Sequence, residues 1–184
     1  MATKTISFTL DAKSIDRAIK ELQEYTRDFE RKCQEIRERV AERIAWSAER
    51  GFSTAMVGDT FLQVNGKDKT AIQPVVGADI SVQVRHEEDV SVVWTDGDEA
   101  VFIEYGAGVY HNGAAGASPH PWGAEQGFLI GTYGEGKGRQ NAWVYRDGSG
   151  NIVITHGTPA AMPMYHGYMD AINALNEIVQ EVFG

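Results

Sequence analysis

Five histidines, His86, His111, His120, His156 and His166, are the first side chains to weigh for chemistry, because metal binding or acid–base work draws on them before most others. His111 and His120 lie in a glycine-rich stretch, His120 between Pro119 and Pro121, and His156 and His166 bracket a proline-containing segment. No His-Glu-x-x-His pattern occurs, and no Cys/His pair has zinc spacing, so neither a metal nor another cofactor is expected. Acidic candidates are Asp98, Glu99 and Glu104, which stand too close in sequence to face each other across a substrate as glycosidase carboxylates do; an acidic strand end is the simpler expectation. Gly-x-Ser-x-Gly is absent, and Asp147-Gly148-Ser149-Gly150 reads as a turn. Cys33, the one cysteine, falls on the apolar stripe of a helix, where a buried thiol is a small hydrophobe and not a nucleophile. Gly131-Thr132-Tyr133-Gly134-Glu135-Gly136-Lys137-Gly138 lacks the Gly-Lys-Ser/Thr ending of a phosphate loop. If this chain is an enzyme, the residues available are His156, His166 or His120 with Glu104, as a small hydrolase; a bacterial protein-interaction module is a further alternative.

The elements that must position these residues fall into three regions of what reads as a single domain, residues 1–184. A long helix is predicted from about Ser14 to about Gly51, with Ile15, Ile19, Leu22, Tyr25, Phe29, Cys33, Ile36, Val40 and Ile44 on one stripe. Asp11 or Ser14 is the capping candidate and Gly51 the stop signal. The stripe fits a helix laid over a sheet, or one whose end packs on another subunit. Ahead of it, Ile6, Phe8 and Leu10 alternate as in a half-buried strand.

Residues 52–156 read as sheet and loops. Strands are predicted at Ile80–His86 and Val90–Thr95 around the acidic turn Glu87-Glu88-Asp89, and at Ala142–Arg146 and Asn151–Thr155 around Asp147–Gly150. Ala100–Tyr105 is apolar and fits a strand or a short helical turn. Twelve of the twenty glycines lie from Gly106 to Gly150, which marks about 107–150 as a glycine- and aromatic-rich insertion. A terminal helix is predicted over Pro163–Phe183, with proline in the first turn, where its missing N–H costs nothing. The fold class is α+β: a long N-terminal helix and a C-terminal helix packed on a mostly antiparallel sheet.

The net charge is −9, unevenly spread. Ala12–Gly51 holds ten basic and nine acidic residues, net +1, and the remaining seven basic and seventeen acidic residues give −10. Such an acidic body argues against broad binding to nucleic-acid phosphates, which draws on Lys and Arg, and no sequence-specific nucleic-acid binding is expected. No apolar run is long enough for a membrane span, and the N-terminus lacks a signal-peptide core.

Two segments carry a resemblance. Phe102-Ile103-Glu104-Tyr105-Gly106 and Thr158-Pro159-Ala160-Ala161-Met162-Pro163-Met164 resemble the Tyr-Val-Glu-Phe-Gly-Thr and Pro-Ala-Arg-Pro-Phe-Leu segments of the head–tail joining, or tail-completion, proteins of long-tailed phages, a family typified by a neck component of lambdoid phages. In that family an N-terminal helix leads into a small sheet, and the second segment opens the final helix. Met162 and Met164 stand where the family has Arg and Phe, and about fifty residues separate the two segments where the family has far fewer. The resemblance implies a non-enzymatic virion component, made in the host bacterial cytoplasm, that forms a homo-oligomeric ring and meets other neck or tail proteins. Glu104, Tyr105, Gly106, Pro159, Ala160, Pro163 and Met164 would then be a structural motif, with Gly106 allowing a sharp turn and the prolines stiffening the entry to the last helix.

Overall fold

Forty-three residues of unbroken helix, α1 (Ala12–Thr54), form the spine of this computed structural model. The structure describes residues 5–74, 80–97, 99–111, 114–117, 120–123, 125–126, 143–155 and 160–184. After α1 come β1 (Met56–Val64), β2 (Lys67–Pro74), β3 (Ser81–His86), β4 (Ser91–Asp96), the short helix α2 (Ala100–Tyr105), β5 (Gly106–His111), β6 (Ala114–Ala117), β7 (Trp143–Arg146), β8 (Ile152–Thr155) and α3 (Pro163–Phe183). The fold is α+β, as the sequence pattern predicts. Every described strand pairing is antiparallel, and among the described residues the strands form three sheets where one was expected: β2-β1-β8-β7, the hairpin β3–β4 and the hairpin β5–β6.

The start of α1 resolves the choice of cap. The Asp11 side chain accepts the Ser14 N–H at 3.0 Å, while the Ser14 hydroxyl accepts the Thr9 N–H at 2.9 Å. No strand forms over residues 5–9; the alternating Ile6, Phe8 and Leu10 lead instead into this cap, with Phe8 and Leu10 exposed. Hydrogen bonds from Thr9 Oγ1 and the Ser14 N–H hold the Asp11 carboxyl below its ordinary pKa of 3.8. A carboxyl depressed on folding stabilises the helix start above the unfolded pKa and loses that effect as pH falls through the folded one. Asp11→Ala is therefore expected to speed amide exchange in the first two turns at neutral pH, with the difference from wild type vanishing in strong acid. Equal exchange at pH 7 would refute the cap.

Helix α1 passes through Gly51, which was expected to stop it, and ends at Thr54. Gly51 serves packing: a Cβ built there stands 2.7 Å from Pro163 Cβ. Helix α3 runs antiparallel to α1, from Pro163 beside Gly51 to Phe183, whose ring centroid is 5.8 Å from that of Phe29. At the crossing, Gly167 lies against Ile44 and Ala48, and buried Ala41, Ala48 and Ala171 keep the approach close. Arg43 flanks this seam with two hydrogen bonds to Asp170, and Arg39 with one to Glu181.

The β3–β4 hairpin packs on α1, and Arg37 fixes it by donating to the carbonyls of Glu87 and Glu88 in its acidic turn. The β1–β2 hairpin is an addition to the predicted strands, and its Asn65-Gly66 turn (φ 51° and 76°) is the strongest short hairpin signal. Asn65 also ties that turn to β8, accepting the Ile152 N–H through its side chain and donating its own N–H to the Ile152 carbonyl. A further correction concerns Cys33, which is exposed and not buried. The apolar stripe of α1 is likewise only half covered: Ile15, Ile19, Leu22 and Tyr25 are exposed, because α3 ends at the level of Phe29.

Candidate functional site

The core gathers where α1 ends. Phe52 and Ala55 meet Ala100 and Ile103 of α2, with Ile80, Val82, Ala161 and Met164 packed against them. Residues 100–105, open to strand or helix on sequence grounds, are thus a helix of six residues that buries Ala100, Ile103 and Glu104. Gly106 ends it at φ 80°, a left-handed conformation that supports the turn expected there. Two exits from the helix matter for the site. The Ile103 carbonyl accepts the Ala161 N–H at 2.8 Å, and the Glu104 carboxylate points at the start of α3.

Helix α3 opens without a local cap. Met162 precedes it in the left-handed conformation (φ 55°, ψ 43°), with no side-chain bond to the first turn, and Pro163 follows as its first residue. The free N–H groups of the next two residues go to Glu104: Oε2 accepts from Met164 at 2.7 Å and Oε1 from Tyr165 at 3.0 Å. A carboxylate sixty residues upstream thereby does the work of an N-cap, and its charge sits at the positive end of the helix dipole. Glu104 is not the exposed acidic strand end that its neighbours suggested; it is buried.

His120 completes the arrangement. Its side chain is fully buried, with Nε2 2.8 Å from Glu104 Oε1. The Trp122 N–H donates to Nδ1 at 3.0 Å, which makes Nδ1 an acceptor and assigns the proton to Nε2, as donor to Glu104. Aromatic rings surround the imidazole, with centroids of Tyr105 at 4.4 Å, Tyr165 at 5.3 Å and Trp122 at 5.7 Å. Trp122 in turn meets Tyr165 and Tyr168 edge-on. Burial first, and the Glu104 charge second, push the Tyr105 hydroxyl above its ordinary pKa of 10.0, away from service as a base. Beside this cluster, a cleft of about 410 Å³ opens between α1, β4, α2 and α3, lined in part by Phe52, Val93, Val101, Tyr105, Trp122 and Tyr168.

The structure brings some of the sequence candidates together and separates others. Glu104 and His120 pair, while Tyr105, Gly106, Pro163 and Met164 frame them, with Ala160 half-buried at the approach to α3. Pro159, His156, Asp98 and the Gly131–Gly138 stretch lie outside the described residues, as does the side chain of His111. His166 is exposed on α3 next to Tyr165, and His86 bonds to Ser91 within its hairpin. Among the described residues, no three His, Cys, Asp or Glu side chains group to hold a metal ion, and no helix is long and apolar enough to cross a membrane. Missed by sequence reasoning were Trp122 and Tyr165 as partners of His120, and Gly167. The last was readable as one of the small or tight residues Pro163, Gly167 and Ala171, spaced by four along one helix face.

Chemically, the Glu104–His120 pair resembles half of a hydrolase triad, but both carboxylate oxygens and both imidazole nitrogens are bonded to protein groups. The arrangement does what a fastener does: it ties α2, residues 120–122 and the first turn of α3 at one point. The class that this fold and site define is an α+β domain with a buried carboxylate clamp at its helix junction. Comparison with known proteins finds no matching family profile, no matching curated protein and no matching solved structure.

Proposed function

We propose that this chain is a non-enzymatic structural subunit of a phage or prophage particle, of the head–tail joining or tail-completion type, and that it works as one member of a ring. The observation that carries this reading is the Glu104 clamp. The two segments that resemble the family's motif, Phe102–Gly106 and the segment entering α3, are bonded to each other through Glu104, Met164, Tyr165 and the Ile103–Ala161 backbone bond. A motif whose members are engaged in fixing a helix direction suits a protein that must present rigid surfaces to neighbours. The family's Phe position, here Met164, fits the same scheme, since Met164 packs on the core.

The hydrolase reading can claim one observation, the Glu104–His120 pair, and it loses ground because neither imidazole nitrogen is left for a substrate. Co-expression with the neck and tail-tube proteins of a phage whose genes flank this one tests the proposal. Co-purification of the chain in a stoichiometric assembly is the expected result. Absence of binding to every such protein, or a hydrolytic activity abolished by His120→Ala in a variant that still folds, would reject it.

A further inference from the structure

Two turns at one end of the four-stranded sheet are joined by a chain of side-chain hydrogen bonds. It begins at Asp147, in the turn between β7 and β8. Oδ1 of Asp147 accepts the N–H groups of Ser149 and Asn151, both at 2.9 Å, and Oδ2 accepts Nδ2–H of Asn151 at 2.9 Å. These bonds, the Asn151 side chain foremost, hold the Asp147 carboxyl below its ordinary pKa of 3.8. At neutral pH it is therefore ionised and only accepts. The direction of each amide further along follows from that. Asn151 turns its NH2 toward Asp147, which leaves its Oδ1 facing Asn65, and Asn65 Nδ2 donates to that oxygen at 2.9 Å. Asn65 Oδ1 in turn accepts the Ile152 N–H at 3.0 Å. Both ends of the Asn65 amide are in use. Aspartate cannot take its place, because a carboxylate oxygen would face the Asn151 oxygen with no proton between them.

Asn65 also stands where an amide is chemically least durable. Gly66 follows it, both residues are exposed, and a Cβ built at Gly66 would meet nothing within 4 Å. A backbone nitrogen with no side chain beside it approaches the preceding asparagine's Cγ with the least hindrance. The closed turn withholds that approach. Asn65 is fixed at φ 51°, and hydrogen bonds to Asn151 and Ile152 keep its side chain on the β8 side.

We infer that Asn65 is a site of spontaneous deamidation, that the Asp147–Asn151 chain sets its rate by holding the turn closed, and that the product unties the β1–β2 turn from β8. The reaction runs from the locally opened turn. The Gly66 nitrogen gives its proton to hydroxide and bonds to Asn65 Cγ. The Cγ–Nδ2 bond breaks, and ammonia leaves after taking a proton from water, which restores the hydroxide. Water then opens the cyclic succinimide. Opening at Cγ gives aspartate; opening at the backbone carbonyl gives isoaspartate, whose main chain runs through Cβ and Cγ. Either product adds a negative charge and has lost the Nδ2 donor that Asn151 requires, so the opened turn does not close again as before.

Incubation of the full chain in mildly alkaline buffer, with mass spectrometry of the tryptic peptide that ends at Lys67, tests this. The chain's other Asn-Gly pair, Asn112-Gly113, falls on a different peptide. Native wild type is expected to convert Asn65 about tenfold or more slowly than the same chain in denaturant, the effect of two hydrogen bonds that must open first. Asn151→Ala, checked for native circular dichroism, removes one of them and should convert about 2- to 10-fold faster than wild type. Asp147→Asn should act in the same direction without deleting a side chain, because its NH2 turns the Asn151 amide round. Asn65→Asp reproduces one product, and the amides of residue 65 and Ile152, whose bonds join the turn to β8, should lose protection from exchange. A native chain that converts as fast as the denatured one, variants at Asn151 and Asp147 that convert no faster than wild type, or an Asn65→Asp protein that exchanges like wild type would each overturn the inference.

Discussion

Glu104→Ala is expected to lower the melting temperature by about 10 °C. The substitution removes the acceptor for three donors: the N–H groups of Met164 and Tyr165 and Nε2–H of His120. Hydrogen bonds to a charged partner contribute roughly 1.5–3 kcal/mol each, and a buried donor left unpaired costs about 1–3 kcal/mol. These terms overlap, because water re-enters the enlarged site, so a net loss of about 3–5 kcal/mol is a reasonable sum for breaking a buried charged cluster from one side. At roughly 2–4 °C per kcal/mol for a chain of this size, that is the stated shift. The loss should be local before it is global, with amide exchange at Met164 and Tyr165 accelerating more than in α1. Glu104→Gln keeps an acceptor oxygen for one face but turns an NH2 toward a donor on the other, so it should recover only part of the stability. A Glu104→Ala protein that melts with wild type would remove the clamp from the account altogether.

Gly167→Leu is expected to separate the two long helices. An added Cβ alone stands 2.7 Å from the Ile44 carbonyl oxygen and 3.2 Å from the Ala48 nitrogen, both backbone atoms with nowhere to move. Alanine is the instructive comparison, because its gain of about 1 kcal/mol in helix propensity over glycine opposes the clash. Overpacking costs about 1–3 kcal/mol, so Gly167→Ala should be destabilising by up to roughly 2 kcal/mol net, and Gly167→Leu, which adds three further carbons to the seam, by more. Denaturant titration of the three proteins reads the order directly. Gly167→Ala more stable than wild type would mean that propensity outweighs the seam.

These two positions show where the sequence was legible. The long helices were, since their periodicity persists over many turns and no local signal opposes it; their ends were less so, because Gly51 has the residue type of a stop but is held in the helix by Pro163. The hairpins β3–β4 and β7–β8 were legible from alternation around a turn, and the signal for β1–β2 lies in Asn65-Gly66 alone. Glu104 was singled out, yet its role was not visible. A cap normally sits beside the helix it caps, and nothing in the composition of residues 100–106 tells that their carboxylate serves a helix beginning at Pro163. His120 was weighed as a candidate for chemistry, but its burial and its tautomer depend on Trp122, Tyr105 and Tyr165, which only the fold assembles. Cys33 and the upper stripe of α1 failed for the opposite reason. Periodicity says which face is apolar and not how far a covering element extends.

The antiparallel seam between α1 and α3 also has a schedule. Its α1 side is made well before its α3 side, and at ~5–20 residues per second the ribosome takes on the order of ten seconds to reach Phe183 after completing α1. Throughout that interval α1 exposes the small-residue groove that Gly167 will enter, and the donors of α3 do not yet exist to meet Glu104. The nascent chain must therefore wait with the α3-facing side of α1 uncovered until the twenty-one residues of α3 are made and close the seam.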